Sequence, residues 1–384
     1  MIEAVAVKND SHRKEFLEFP VRLYQNDPHY IRPLDQDIEA IFDPTKNKLF
    51  QSGFCERFLF VNQKGETVGK VAVFVNPKYE QEIPTGGIGF FDSINDQEVA
   101  NYIFDFAKNL LEKKGMQAMD GSINFGERDK FWGVLVEGFE APLYNMSYNA
   151  PYYASLFENY GFKGYFDQLC FSRPVHGEVS RKFTVMHAKH QRNPDLSARP
   201  MTKAKLKNFA KDFSLIYNKA WAAHGEGKEM SEEKALKIFL KMKPLINEHI
   251  CWFVYHKEEP IAMWINIPDL NQWFKHLNGK FSLWHKLKFL LYKRFKKNTK
   301  MVGIVFGVVP EWQKTGVEGY MIWEGTKHLR KHTDFLVTEM QWIGDFNPKM
   351  IKIAEALDTT VTKKLTTYRY LFDRTIEFKR HPIL

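Results

Sequence analysis

The chain has 384 residues, 44% of them hydrophobic and 26% charged, with a formal net charge of +9. That length is comfortable for two domains, and the composition is that of a globular protein, not of a disordered or fibrous one. No apolar run approaches the ~18–20 residues of a membrane span.

The N-terminus lacks the basic and apolar regions of a signal peptide. Three scattered cysteines, Cys55, Cys170 and Cys251, fit no metal-ligand spacing, so reduced thiols and a cytoplasmic location are expected. The charge is divided: residues 1–180 carry 18 Lys and Arg against 26 Asp and Glu, and the remainder 37 against 20. A basic half predicts an anionic ligand there, or attraction to the acidic half across their interface.

Arg13–Leu23 and Leu34–Phe42 read as short amphipathic helices around the turn at Asp27-Pro28. Thr67–Val75 and Gly86–Ile94 read as strands. Asn95 is the expected cap of a helix over Gln97–Lys114, with Glu98 three residues on. Val99, Ile103, Phe106, Ala107 and Leu110 form its core face, and Gly115 stops it. Met116–Phe125 follows as a strand, and Pro151–Tyr160 as a helix behind Asn149. Ser172–Ala198, with Pro174, Gly177 and Pro194, reads as the passage between two halves, with Lys182–His187 open as a strand.

The second half repeats the order. Pro260–Ile267 and Met301–Val309 are strands, Gly316–His332 a helix, Phe335–Ile343 a strand, and Pro348–Leu357 a helix behind Asn347. Such repetition predicts two copies of one supersecondary unit. An insertion, Leu270–Lys300, carries nine Lys and Arg and no Asp or Glu, with Leu283, Leu287, Leu290 and Leu291 at helical spacing. It reads as a helical pair packed on the second domain, or as a basic amphipathic segment for peripheral membrane contact or nucleic acid.

Met301–Val309 runs through Pro310-Glu311-Trp312 into the loop Gln313-Lys314-Thr315-Gly316 before the next helix. A glycine-bearing loop at a helix N-terminus offers backbone N–H groups to phosphate. Val308, Pro310, Gln313 and Gly316 match the pattern V-x-P-x-x-[QR]-x-x-G-x-[GA], with Glu318 where Gly or Ala belongs. On these residues and on the duplicated order, the chain resembles the GNAT superfamily of acyl-CoA N-acyltransferases.

The resemblance implies an α/β fold of two GNAT-like domains in tandem, each a central mixed sheet (α+β) flanked by helices. They would span residues 1–175 and 199–384, with 176–198 as linker. It implies acetyl-CoA or a longer acyl-CoA as co-substrate, held by Val308, Gln313, Lys314, Thr315, Gly316, Val317 and Asn347. The family's oxyanion donor, a backbone N–H at the splayed end of the strand, falls near Val308. In the first copy the corresponding stretch, Asp92-Ser93-Ile94-Asn95, has no glycine, and Asp92 and Asp96 would repel a pyrophosphate. That copy is expected to have lost the coenzyme.

The family's last helix often carries a tyrosine as acid, and Phe157 and Ala354 stand in its two places. Tyr368 and Tyr370 on the closing strand are the remaining candidates, with half-buried packing as the plain alternative. Glu339, inside an otherwise apolar strand, is either the general base or an ion-paired side chain. His224 and Glu226, in the loop between two helices, are candidate contacts to the acceptor. No metal or hydrolase motif is present. The expected activity is acyl transfer from a CoA thioester to the amine of a small molecule or peptide. The alternatives are an aminoacyl-tRNA-dependent transferase, like the tandem enzymes that build peptidoglycan bridges, and a non-catalytic acyl-CoA or anion binder.

Overall fold

The computed structural model describes residues 2–220 and 229–383. The first half runs β1 (Glu3–Ala6), α1 (Asp10–Leu23), α2 (Asp35–Phe42), β2 (Phe54–Val61), β3 (Thr67–Val75), β4 (Thr85–Ser93) and α3 (Gln97–Glu112). It continues through β5 (Ala118–Gly121), β6 (Val134–Glu137), α4 (Tyr153–Tyr160) and β7 (Lys163–Pro174). After α5 (Arg181–His190) the order returns: β8 (Leu196–Pro200), α6 (Leu206–Ala220), α7 (Glu232–Met242), β9 (Cys251–His256) and β10 (Glu259–Pro268). The insertion supplies α8 (Asn271–Phe274) and α9 (Leu283–Phe295). Then come β11 (Lys300–Val308), α10 (Val317–His332), β12 (Val337–Gly344), α11 (Pro348–Ala356) and β13 (Thr360–Leu371).

The strand directions repeat as well. β3 is antiparallel to β4 and β4 parallel to β5, just as β10 is antiparallel to β11 and β11 parallel to β12. The middle of β3 is buried at every position, as expected for a strand covered on both faces. Helix α3 is capped by Asp96, one residue later than expected; its carboxylate accepts the N–H groups of Glu98 (2.8 Å) and Val99 (3.4 Å). Phe104 and Leu111 then join Val99, Ile103 and Ala107 in the core, and Phe106 and Leu110 are left half-buried.

Among the described residues the strands form one sheet, ordered β1-β2-β3-β4-β5-β13-β7-β12-β11-β10-β9-β8, with β6 beside β13. Each half gives its closing strand to the other. β7 pairs with β12 (Phe171 opposite Met340), β13 with β5 (Tyr368 opposite Gly121), and β7 and β13 pair with each other. The mixed sheet expected in each half is present in strand order and direction. The two are continuous, because the exchange pairs both inner edges that would otherwise stay open.

The 176–198 segment is not a plain linker: Lys182–His187 lies in helix α5, not in a strand. Helix α5 packs so closely on α10 that a Cβ on Gly319 would meet Met186 Cβ at 2.7 Å and Phe183 Cδ1 at 3.1 Å. Met116–Phe125 is strand only over Ala118–Gly121. One core gathers Phe60, Val71, Ile103, Phe104 and Phe157; the other gathers Phe253, Ala262, Met263, Val317 and Met321. No described helix is long and apolar enough to cross a membrane.

Candidate active site

β11 and β12 pair in parallel only over Lys300–Gly303 and Val337–Met340, although both strands run on. The pairing of β12 with β7 slips in register between Met340 and Ile343, and such an irregularity bends a strand away from its neighbour. The result is a cleft of about 380 Å³ between the two strands, walled by Trp264, Phe306, Ile322, Leu329, Met350 and Leu357. Its size and apolar walls are those of a small-molecule site. Val309 N–H donates to the Ile261 carbonyl at 3.0 Å, so alternation turns the N–H groups of Phe306 and Val308 away from β10 and toward the gap.

Where the gap opens, β10 and β11 slip register at Ile265/Asn266. Asn266 is fully buried; its Nδ2 donates to the Ile250 carbonyl at 2.7 Å, and its Oδ1 has no partner. A Cβ on Gly303 would lie 3.5 Å from that oxygen. An unsatisfied buried acceptor beside a cleft is a place where a ligand's N–H would be welcome.

The first half has the same short parallel pairing, Thr85–Gly87 with Ala118–Asp120. Its gap is plugged: the Tyr24 and Tyr153 hydroxyls are 2.8 Å apart, Tyr153 donates to Asp92 at 3.0 Å, and Lys70 pairs with Asp92 at 3.0 Å. The space left there is about 80 Å³.

The loop at the end of β11 brings Val308, Gln313, Lys314, Thr315, Gly316 and Val317 together. Gln313 Nε2 donates to the Val308 carbonyl (3.1 Å), and Thr315 Oγ1 accepts the Val317 N–H (3.3 Å). The Thr315 carbonyl accepts from Lys189 Nζ (3.1 Å) and bonds His190 Nε2 (3.0 Å), which ties the loop to α5. Gly316 has φ +94°, and a Cβ there would meet Met186 Cγ at 3.1 Å. Its glycine therefore answers to left-handed backbone and to α5, not only to a phosphate, which revises the reason given by the motif. Gly316→Val is accordingly expected to destabilise the protein by ~1–2 kcal/mol or more. An unchanged thermal midpoint would show that the loop relaxes without strain. Glu318, where the motif has Gly or Ala, has a buried Oε2 with no partner.

Asn347 caps α11 by accepting the Met350 N–H at 3.2 Å. Asn149, at the matching place, instead bonds both backbone groups of Leu135, at 2.7 and 3.0 Å. Glu339 does not line the cleft, whose wall on β12 includes Thr338 and Met340. It is 1% exposed and clamped between Lys363 Nζ (3.0 Å) and Lys300 Nζ (2.5 Å). Burial alone raises its pKa, but the two ammonium groups outweigh burial and hold it below the usual value. That geometry makes it an ion-paired strand residue and not a free base. Tyr368 and Tyr370 sit in the first half's sheet, carried there by β13. Tyr368 donates to Glu158 at 2.8 Å, and Tyr370 packs between Tyr160 and Phe162. His224 and Glu226 lie outside the described residues.

Sequence reasoning missed Asp269. It directly follows β10, is 7% exposed, and accepts the Asn271 N–H at 3.1 Å. Burial pushes its carboxyl up to about 6, partly offset by Lys300. It lines a second cavity of about 160 Å³ with Ile267, Leu270, Val302, Tyr144 and Asp129. Ile304 and Gln341 line both cavities, so the two meet at the gap between β11 and β12. Alternation along β11 places Gly303 on the cleft side and Val302 on this one. The signal in the sequence was an acid directly abutting a stretch without any.

A glycine-bearing loop before α10, a cleft between splayed parallel strands and a repeated domain order are the features of the tandem GNAT fold. Among solved structures, the tandem GNAT protein of the clavulanic acid biosynthesis pathway matches 97% of this chain and 99% of its own, with TM-score 0.53 and 10% identity. The GCN5-related glucosamine N-acetyltransferase region of a fungal multi-domain GH3 β-N-acetylglucosaminidase matches 96% of this chain and 38% of its own, also at 0.53 and 10%. In sequence, the chain is 22% identical over 377 residues to "Bacterial ceramide synthase" of Caulobacter vibrioides (strain NA1000 / CB15N), covering 96% of this chain and 97% of that one. It is 24% identical over 391 residues to "Protein YghO" of Escherichia coli (strain K12), covering 94% and 93%. No family model matches the chain.

Proposed function

We propose that the protein is an acyl-CoA-dependent N-acyltransferase that moves a long acyl chain onto the amine of a long-chain amino alcohol of the sphingoid type. The observation that carries this reading is the apolar cleft of about 380 Å³ between β11 and β12. A GNAT fold binds an acyl-CoA in such a gap, and walls of Trp, Phe, Ile, Leu and Met suit a hydrocarbon chain better than an acetyl group. The full-length likeness to a protein named as a ceramide synthase supports the same acceptor class.

In this reading the loop Gln313–Gly316 and the start of α10 face the coenzyme phosphates, with Lys189 and Lys314 adding positive charge. The N–H groups of Phe306 and Val308 meet the thioester carbonyl, and Asn266 Oδ1 accepts an N–H of the coenzyme arm. The acceptor enters the second cavity as an ammonium ion. Asp269 takes a proton from its nitrogen, and the freed lone pair attacks the carbonyl. Collapse of the tetrahedral oxyanion breaks the C–S bond and expels the CoA thiolate, which takes the second proton of the attacking nitrogen and leaves the amide. A carboxyl near 6 is ionised at neutral pH yet basic enough to accept that proton.

The test is release of free CoA thiol by the purified protein. Palmitoyl-CoA with sphinganine should support turnover, and acetyl-CoA with the same amine should be slower by ~10-fold or more. Equal rates with both donors would sink the long-chain reading. Absence of turnover with every acyl-CoA, alongside acyl-CoA binding, would leave a binding protein.

A further inference from the structure

Helix α9 is turned inside out. At about 100° per residue, Leu283, Trp284, Leu287, Leu290, Leu291 and Phe295 share one arc of about 140°. That arc faces solvent: Leu283 is 84% exposed, Phe295 75% and Trp284 61%. On the opposite side the helix is held by Phe289, 4% exposed, in a cluster with Leu34, Leu270, Trp273, Phe274 and Leu277. An amphipathic helix on a globular protein normally buries its apolar stripe. Here the protein core takes the other face, so the broader stripe is left for a different medium.

Cations frame the stripe. Lys286 and Lys293 stand at one flank, Lys288 at the other, and Arg294 within it. Among the described residues no acidic side chain lies within ion-pair distance of Lys286, Lys288 or Arg294, and Leu270–Lys300 contains no Asp or Glu. We infer that this face of α9 docks on an anionic lipid bilayer, with the apolar stripe at the acyl boundary and the lysines at headgroup level. Both terms contribute: apolar area leaves water, and each Lys or Arg near an anionic surface adds attraction. Trp284, at the margin of the stripe, is the residue type favoured at such an interface. Against nucleic acid the phosphates would satisfy the cations but leave Leu283, Leu287 and Leu290 in water. A second copy docking through the same face would oppose cation to cation with no acid between.

The docking face is linked to the interior of the protein. Leu270, in the cluster that holds α9, also lines the cavity beside Asp269, as do Ile267 and Tyr144 at the cluster's edge. A lipophilic molecule leaving the bilayer at α9 would reach that cavity along apolar side chains. The docking itself does not depend on the acyl-transfer reading, since it is measured without turnover.

The experiment is vesicle flotation of the full chain with phosphatidylcholine alone and with phosphatidylcholine plus phosphatidylglycerol. The protein should float with the anionic vesicles, less so at high salt, and stay behind with the neutral ones. Emission from Trp284 should shift to the blue, and Trp284→Phe should remove that component. A variant carrying Trp284→Ser, Leu287→Ser, Leu291→Ser and Phe295→Ser should lose flotation while keeping its circular dichroism spectrum. Lys288→Glu with Arg294→Glu, which leaves the apolar stripe intact, should weaken binding by roughly fivefold or more per charge. Three results would overturn the proposal: no flotation of the parent protein at low salt, flotation of both variants equal to the parent's, or a stripe variant that instead abolishes RNA binding or dimerisation.

Discussion

Asp269→Asn is expected to lower turnover by ~10²–10⁴-fold, the range for loss of a general base, with acyl-CoA affinity nearly unchanged. Asparagine keeps the shape and can still accept the Asn271 N–H. The effect on stability should have the opposite sign. A carboxyl whose folded pKa is raised to about 6 by burial holds its proton more tightly folded than unfolded. Stability from this group is therefore greatest at acidic pH and falls as pH rises from the ordinary Asp value through about 6. Removing the charge relieves that penalty, on the order of 3 kcal/mol above the window. The variant should melt no lower than the parent at neutral pH and be nearly inactive. The parent's rate should fall below about pH 6 as Asp269 is protonated. A variant that keeps its rate, or one that both melts lower and loses activity, would remove Asp269 from the role of base.

Glu339→Gln should behave in the reverse way. Lys363 is 2% exposed, and its ammonium loses its carboxylate in this variant, as does that of Lys300. Breaking a buried pair by removing one partner costs roughly 3–5 kcal/mol, read as a lower midpoint in urea. Turnover of the protein that remains folded should be retained. The Glu339 pKa is depressed, so its stabilisation is present above the unfolded Glu value and is lost as pH falls through the folded one. The parent should therefore lose part of its stability below the ordinary carboxylate range, and the variant should lack that limb. Glu339→Leu with Lys363→Met, which removes both of the fully buried charges, should recover much of the loss. If Glu339→Gln keeps its stability and loses turnover, Glu339 is the base after all.

The two carboxylates show where the sequence was readable. Glu339 attracted attention because an acid stands in a Phe-Leu-Val-Thr strand, and that oddity is real. Lys363 was invisible as a partner because it comes from β13, which lies beside β12's neighbour β7 from its first residue and so reaches Glu339 across an intervening strand given by the other half. Tyr368 and Tyr370 failed for the same reason: they follow Lys363 along β13 and leave the second cleft for the first half's sheet. Asp269 was passed over because its one local mark, an acid abutting a stretch without acids, says nothing of chemistry; burial and a cavity on the far face of the sheet decide that.

By itself the sequence determined most of the elements that recur in the two halves and their order, since strand and helix periods, caps and the loop around Gly316 are local properties of neighbouring residues. It also determined the charge of the second half and the apolar face of α9. Tertiary structure alone decided that the closing strands are exchanged and that the two half-sheets run on as one. It decided too that the β11–β12 gap is open while Tyr24, Tyr153 and Asp92 plug its counterpart. These outcomes depend on which distant segments meet, and a pairing partner far along the chain leaves no periodic trace in either strand.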